Sequence, residues 1–471
     1  MNILLISTSS EGSLTSTVPD KYKDLSLGHY PPLGLMYLAA YLEKNSAHKA
    51  RIIDTELEGL GARALAARIL DEKPGAIGFY TTSFNVHIVF ETVSQLRRAG
   101  VTTPIILGGP HVDLYPQETA ALPGITCVVI GEGEITLCEL LDSMENNSGP
   151  LAVKGICCLA DGKAVMTPER PLLETLDELP FPARQLTKYD RYYSVIGREK
   201  VSTTLMTSRG CPFRCNFCFV QYGGRYRMRS AESVIAEIEE CLKLGISEFF
   251  FFDEIFTADK RRVMAFCDAV IQRRLGIIFD IRSRIDTIDE ELLGKLKQAG
   301  CARIQYGIES GCDEILLAMN KKITVSQARK TVELTKKAGI DVFLDFMIGY
   351  PGETLEQIRA TVKFAKELDP AYVQFGITTL FPGTKIYADA LKSGFLKEDF
   401  WRKAAQDPKG PIVPPFASER FDRRQLEQLL RRAYISFYFR PRYLFKRLAA
   451  LRSLTELRRH VTAGLGLLRG K

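Results

Sequence analysis

Two series of short apolar runs, separated by helix-length stretches and closed by glycine, hydroxyl or charged residues, occupy the chain as far as Thr379. The first series is 2–7, 50–54, 76–80, 103–107 and 126–130, with helical stretches at 32–44, 61–71 and 84–99. Short strands alternating with helices predict an α/β unit built on a doubly wound parallel sheet. In such sheets ligands bind beyond the carboxyl ends of the strands. Those ends carry Thr81-Thr82-Ser83, Gly108-Gly109-Pro110-His111 and Gly131-Glu132-Gly133-Glu134. Hydroxyls and closely spaced glycines let backbone approach a large ligand. No G-x-G-x-x-G follows the first run, so a dinucleotide is not favoured.

The second series has six runs, at 203–207, 248–252, 277–281, 302–307, 341–348 and 372–379. Helical patterns fill the gaps; Val234, Ile235, Ile238, Cys241 and Leu242 mark one helix face within 232–244. Six βα units predict a partial (β/α)6 barrel, whose active site belongs on the loops after the strands. Each run delivers glycine, charged or ligand-type residues there. In order these are Cys211, Cys215 and Cys218; Asp253-Glu254; Arg282 and Arg284; Glu309-Ser310; Gly349 to Glu353; and Phe381 to Thr384.

The three cysteines stand in Gly210-Cys211-Pro212-Phe213-Arg214-Cys215-Asn216-Phe217-Cys218, a C-x3-C-x2-C spacing. Three thiolates can hold three irons of a 4Fe–4S cubane, and a cluster that lacks a fourth cysteine keeps one iron open. An open coordination position is what separates a catalytic metal site from a structural one. A zinc site would want a fourth Cys or His nearby, but the next cysteine is Cys241 and no histidine occurs between His111 and His460.

With Phe217 before the third cysteine, the motif resembles that of the radical S-adenosylmethionine (radical SAM) enzymes. The segments after the first five runs, together with YPPLGLMYLAAYL from Tyr30, resemble the cobalamin-binding domain that precedes many radical SAM domains. The resemblance implies a cobalamin-binding domain at 1–148, a linker at 149–195, a radical SAM domain at 196–400 and a basic helical region at 401–471. It implies three cofactors: a 4Fe–4S cluster on Cys211, Cys215 and Cys218, SAM, and cobalamin. Thr82, Ser83, Gly108, Gly109, Gly131 and Glu132 are the candidate cobalamin contacts. The D-x-H-x-x-G motif that supplies a histidine to cobalt in other cobalamin proteins is missing, and His29, His87 and His111 read as loop or surface histidines.

In the resembling family the open iron chelates the amino and carboxylate groups of SAM, and an electron from the cluster cleaves SAM to a 5′-deoxyadenosyl radical. Arg284 suits the SAM carboxylate by bidentate pairing, although Asp286 and Asp289 are competing partners. Glu309 suits the amine or ribose, with Ser310 beside it. Phe217 and Gly349 would flank adenine, and Glu254 divides between SAM contact and structure. The segments RSRID, GIESG and MIGYPGET match the family pattern. The implied reaction is a methyl transfer from SAM via methylcobalamin to an unactivated carbon. The alternatives are a cyclase or ring-rearranging oxidoreductase with the same cofactors, and a cobalamin- or SAM-binding sensor; a sensor needs no open iron. Methyl transfer through a C-terminal cysteine is disfavoured because no cysteine follows Cys312. Methylthiolation is disfavoured because Cys127, Cys138, Cys157 and Cys158 lack the spacing for a second cluster.

Residues 421–471 hold thirteen Lys or Arg against three Asp or Glu, a balance of +10 that leaves −3 for the rest of a chain whose total is +7. With its aromatics and its Leu444, Leu448 and Leu451 stripe, interrupted by Arg447 and Arg458, this tail reads as a helical cap or as an interfacial membrane helix. The second reading would favour a lipid-like substrate. The expected partners are a small-molecule or lipid-like substrate, an electron donor such as flavodoxin or ferredoxin, and a membrane surface at the tail, with no nucleic acid. Irregularly spread cysteines, no secretory signal and no apolar stretch long enough to span a bilayer predict a reduced, cytoplasmic setting, peripheral to the inner membrane face if the tail binds it.

Overall fold

Asn2–Ser7 (β1) is apolar from Ile3 to Ile6, and all four side chains are buried because both faces of the strand are covered. In the computed structural model, which describes residues 1–9, 28–219 and 224–450, it is the second strand of a seven-stranded sheet. Lys49–Asp54 (β2), Ala76–Tyr80 (β3), Ile105–Gly108 (β4) and Cys127–Val129 (β5) join it in parallel, in the order β2-β1-β3-β4-β5. Ile3, Leu5, Ile106 and Val129 pack with Leu35, Leu42, Leu137 and Leu141 on one face. Leu4, Ile6, Ile77, Phe79 and Leu107 pack with Leu65, Ile69, Val89 and Val93 on the other. This is the expected doubly wound arrangement.

The expected linker contains structure. Ile156–Ala160 (β6) pairs antiparallel to β5, and Lys163–Met166 (β7) pairs antiparallel to β6. Ile156, Cys157 and Cys158 are buried, and Asp161 and Gly162 both take positive φ at the turn. A turn of that kind joins twisted strands in a two-residue hairpin. The expected C-terminal region is also divided: residues 393–413 belong with 1–9 and 31–192, whereas 414–450 belong with 28–30 and 193–392. Trp401 explains the return, since it is 1 % exposed with its ring 5.5 Å from Phe84.

The second unit is built on Ser202–Leu205 (β8), Glu248–Phe251 (β9), Ile278–Ser283 (β10), Cys301–Glu309 (β11), Asp341–Ile348 (β12) and Tyr372–Ile377 (β13), all parallel and adjacent in chain order. Its helix-side face buries Phe251 and Phe279 against Phe256 and Phe266. Alternation then puts Phe250, Arg282, Gln305 and Asp345 on the opposite face. The chain-order parallel sheet is the expected partial barrel.

At its far edge, β13 is covered by the helix Arg423–Tyr438, which buries Leu426, Leu430, Ala433, Tyr434 and Phe437 at helix-face spacing. Three tyrosines meet the edge backbone at alternate residues. The Tyr434 hydroxyl bonds both the N–H and C=O of Phe375, and Tyr438 does the same at Val373. Tyr443 donates to the Ala371 carbonyl at 3.0 Å. An open strand edge is thereby satisfied by side chains, one of the ways proteins prevent edge pairing. Below it, Arg440 and Lys446 each lie 3.2 Å from Asp369. To this extent the tail is the cap. Leu444 is exposed; the side chains of Arg447 and Leu448, and residues Leu451 and Arg458, lie outside the described residues. No described helix is long and apolar enough to cross a membrane.

Candidate active site

Cys211, Cys215 and Cys218 lie on the loop after β8, at the carboxyl rim of the sheet. Backbone and amide bonds fix this loop without using a thiol. Asn216 N–H bonds the Met319 carbonyl at 2.9 Å, its Nδ2 bonds Ala318 at 2.8 Å, and Asn320 Nδ2 bonds the Arg214 carbonyl at 2.6 Å. Although Cys218 is exposed, it is crowded: desolvation pushes its thiol up to about 12, with the neighbouring Cys215 and Cys211 adding to the effect. Three thiols near enough to oppose each other's ionisation need a cationic group to become thiolates. No group of three or more Cys, His, Asp or Glu among the described residues is arranged around a single metal ion. A mononuclear ion would draw its sulfurs to about 2.3 Å from one centre. Three cysteines on one loop with no fourth beside them are the set that holds a 4Fe–4S cluster with one open iron.

Arg284 sits differently from the expectation. It is 5 % exposed, and its Nε and Nη2 both bond the Asp286 carboxylate at 2.9 Å. Nη2 also donates to the Lys321 carbonyl, Nη1 lies 3.7 Å from Cys215 Sγ, and the guanidinium covers the Phe213 ring at 3.8 Å. The fork meant for the SAM carboxylate is spent on Asp286, and Arg284 instead supports the cysteine loop. Ser310 is likewise committed: it is fully buried, bonded to Thr361 and to the Cys312 N–H. Gly349 is a packing position, since a Cβ there would sit 2.7 Å from Leu426.

Glu309, Phe217 and Glu254 remain at the rim. Glu309 ends β11 with φ 74°, a costly conformation for a residue with a side chain, and such strain gathers at functional sites. It accepts from Lys321 Nζ at 2.8 Å, and that ammonium lies 5.6 Å from the centre of the Phe217 ring. Glu254 is exposed yet crowded: desolvation pushes its carboxyl up, and the Gly210 backbone pulls it back. Lys321 is a residue that sequence reasoning missed. It lies between two helices, after no strand, so the rim rule gave no signal for it.

Glu353 was recognised only as part of a loop. It is 1 % exposed and accepts from the N–H groups of Gly349 and Tyr350, fixing the turn after β12. Burial nevertheless raises its carboxyl to about 7. A raised acid pKa gives stability that is present below the unfolded value near 4.5 and is lost as pH climbs through about 7. Relative to wild type, Glu353→Gln should therefore gain roughly 1–3 kcal/mol between pH 5 and pH 8, read as urea-unfolding midpoints. A wild-type-minus-variant difference that is flat across that window would contradict this assignment.

In the first unit, the strand-end segments come together. Thr81 N–H bonds the Gly108 carbonyl at 2.7 Å, Ser83 Oγ meets His111 Nδ1 at 3.0 Å, and Asp113 accepts from Gly131 N–H at 2.7 Å. Thr82 is held by Asn85. Gly109 adopts φ 103°, and a Cβ there would lie 2.7 Å from the Thr81 carbonyl; at Gly131 a Cβ would meet nothing within 4 Å. These residues fit a large ligand lying over the ends of β3 to β5. Glu132 departs from the set, because it is buried and accepts from the Leu173 N–H. A cavity of about 810 Å³, lined by Ser9, His87 and Glu91 among others, opens elsewhere in this unit and touches none of these candidates.

Burial lowers the His111 imidazole to about 4, and its Nε2 is closed off from solvent without a hydrogen-bond partner. His87 and His111 are buried helix residues, not the loop or surface histidines expected. His87→Ala and His111→Ala should each leave the cobalt spectrum nearly unchanged. Nitrogen hyperfine splitting from a protein imidazole in the reduced, paramagnetic state would contradict this.

Comparison with known proteins agrees with the geometry. Residues 205–365 match the Radical SAM superfamily model, and residues 24–141 match the B12 binding domain model. An uncharacterized methyltransferase of Pyrococcus horikoshii is 36% identical over 421 residues, 88% of this chain and 89% of that one. The chain belongs to the cobalamin-binding radical SAM enzymes. Its cofactors are the 4Fe–4S cluster, SAM and cobalamin, its substrate is a small molecule, and it is a radical SAM methyltransferase. The enzyme is also similar to the anaerobic magnesium-protoporphyrin IX monomethyl ester cyclase of Rubrivivax gelatinosus, at 28% identity over 77% of this chain and 66% of that one. It shares its fold with the radical SAM methyltransferase TsrM of Kitasatospora setae, solved with cobalamin and a [4Fe-4S] cluster bound. That match has a TM-score of 0.72 at 19% identity and covers 94% of this chain and 89% of that one.

Proposed function

We propose that this enzyme transfers the methyl group of SAM, by way of cobalamin, to an unactivated carbon of its substrate. The observation that carries the reading is the cysteine loop at the rim of an open-sided parallel sheet, in a chain that also has the cobalamin-binding type of domain. Bound there, the cluster and SAM supply a carbon radical, and cobalamin carries the methyl group. The chain's own part is positioning. Cys211, Cys215 and Cys218 hold the cluster, Arg284 braces their loop against the Phe213 ring, and Glu309 with Lys321 presents a charged edge beside Phe217 for SAM. Thr82, Ser83, Gly108, Gly109 and Gly131 form the cobalamin cradle, with Asp113 bracing Gly131. A radical of this kind removes hydrogen from many C–H bonds, so a fixed acceptor geometry decides the outcome.

The test is anaerobic reconstitution with iron, sulfide, cobalamin and methyl-labelled SAM, followed by mass analysis of candidate acceptors. A product heavier by one labelled methyl in place of hydrogen supports the reading. Cleavage of SAM with an unlabelled, rearranged or oxidised product would instead favour the cyclase alternative, which similarity to the Rubrivivax gelatinosus cyclase keeps in view.

The electron that starts the reaction would come from a flavodoxin- or ferredoxin-type donor, and Cys218 is the exposed thiol of the loop. In the same reading the enzyme is cytoplasmic, and the exposed Leu444 and Phe445, in a tail with net charge +10, support peripheral contact with an anionic membrane. Each basic residue near such a surface contributes about 1 kcal/mol, screened by salt. Binding to anionic vesicles should fall steeply with ionic strength and should weaken in Phe445→Asp. Full-length protein that ignores such vesicles at low salt would remove the membrane contact and the lipid-like substrate together.

A further inference from the structure

A row of polar side chains crosses the face of the six-stranded sheet opposite its helices, within the strands rather than on the loops that follow them. Arg282 on β10 is directly beside Gln305 on β11, and Asp345 on β12 lies across Gly307 of β11. Gln305 Nε2 donates to Asp345 Oδ2 at 2.8 Å, while Asp345 Oδ1 is buried without a partner. The Arg282 guanidinium makes no hydrogen bond among the described residues, although its carbonyl accepts from the Phe256 N–H. Its guanidinium lies instead against two aromatic rings, 5.0 Å from the centre of Phe250 and 4.9 Å from that of Phe252.

The two charges do not pair. They stand two strands apart, about 10 Å at the usual strand spacing, and the Gln305 amide reaches only Asp345. Other inner-face charges are matched: Arg303 bonds Asp280 at 2.6 Å and Lys321 bonds Glu309. Burial, with the Glu309 charge behind it, raises the Asp345 carboxyl to about 7, so the row carries a net positive charge much of the time. A half-buried guanidinium with five donors and no acceptor is expensive for a fold to keep. Its fork geometry matches planar or tetrahedral oxyanions, and the flanking rings hold it in place without consuming those donors.

We infer that Arg282 is the anchor for the acceptor substrate and takes an anionic oxygen group, a carboxylate or a phosphate-type oxyanion, with Asp345 and Gln305 receiving a hydrogen-bond donor of the same molecule. This deepens the methyl-transfer reading and rests on it, by assigning the acceptor to anionic organic molecules. An uncharged hydrocarbon-like acceptor would leave Arg282 unmatched.

The experiment uses the reconstituted holoenzyme and two probes, methylphosphonate followed by phosphorus NMR line broadening and labelled acetate followed by carbon NMR. Wild type should show saturable broadening by at least one probe, and which probe binds tells phosphate-type from carboxylate acceptors. Arg282→Gln should weaken that binding at least tenfold, and Arg282→Lys should retain part of it. Asp345→Asn should tighten it several-fold, because a competing negative charge is removed. That opposite sign is not expected of residues that only support the fold. Iron and cobalamin content and circular dichroism report whether each variant is intact, and if Arg282→Gln does not fold, Arg282→Lys and Asp345→Asn still decide. No saturable binding to wild type, equal binding by Arg282→Gln, no tightening in Asp345→Asn, or full displacement of the probe by SAM would overturn the inference. Anion binding requires no turnover, so failure of SAM cleavage or label transfer counts against the methyl-transfer reading separately.

Discussion

Replacing Cys211, Cys215 and Cys218 together with Ala is expected to take iron from about four atoms per chain to none and SAM cleavage to background, because each thiolate holds one iron of the cubane. The variant should still fold. The loop is fastened by Asn216 to residues 318 and 319 and by Asn320 to residue 214, and none of these bonds involves sulfur. Without metal, desolvation and the neighbouring cysteines hold the Cys218 thiol at about 12, so it stays neutral near pH 7. Alanine in place of the three cysteines leaves those bonds untouched, and circular dichroism with thermal unfolding should show a domain about as stable as the apo wild type. Iron analysis, absorption near ~400 nm and 5′-deoxyadenosine formation read the other half. A triple variant that keeps a full cluster would remove the site from this loop.

Where local pattern and burial share a cause, the sequence reveals the fold. The strand 2–7 is buried on both faces from Ile3 to Ile6, so those four positions must be apolar, and its limits coincide with those of the observed β1. The strands 76–80 and 341–348 are equally plain. The hairpin at 156–166 carried a signal that went unused. Asp161-Gly162 between two short apolar runs is a strong short-range hairpin pattern, but flanking prolines and acids made the whole stretch look irregular. The return of 393–413 to the first unit has no local signal, because it depends on where Trp401 finds its pocket.

The site divides in the same way. A cysteine loop and a rim of glycines and carboxylates follow from strand ends, which sequence marks. The partners of those residues do not. Arg284 has two acids in the five positions that follow it, and only the geometry shows that Asp286 takes its fork. Ser310 and Glu132 sit at the expected ends but turn inward, to Thr361 and to Leu173. The inner-face row of Arg282, Gln305 and Asp345 is assembled by cross-strand register, which no single run contains, and Lys321 arrives from a connection between two helices.

Phe437→Ala should be among the most damaging single changes in the second unit, costing about 3–5 kcal/mol as a large-to-small core substitution. Its ring is fully buried, 6.5 Å from Phe375 and 5.3 Å from Tyr443, at the point where the covering helix meets the sheet edge. Tyr438→Phe should cost a further, separable amount. It keeps the ring and removes only the hydroxyl that serves both backbone groups of Val373, each worth roughly 1–3 kcal/mol when left unsatisfied in a buried setting. Exposing that edge should also bring aggregation, since unpaired N–H and C=O groups invite another strand. Phe445 is the contrast: it is 74 % exposed, and Phe445→Ala should leave stability within about 0.5 kcal/mol. Urea unfolding of the three variants separates two roles within one basic tail. Large losses at Phe437 and Tyr438 with none at Phe445 identify residues 423–443 as part of the barrel, and leave only the exposed side of the following helix free to meet a membrane. Equal, small effects at all three would mean that the covering helix is dispensable and that the tyrosine bonds to β13 do not hold the edge.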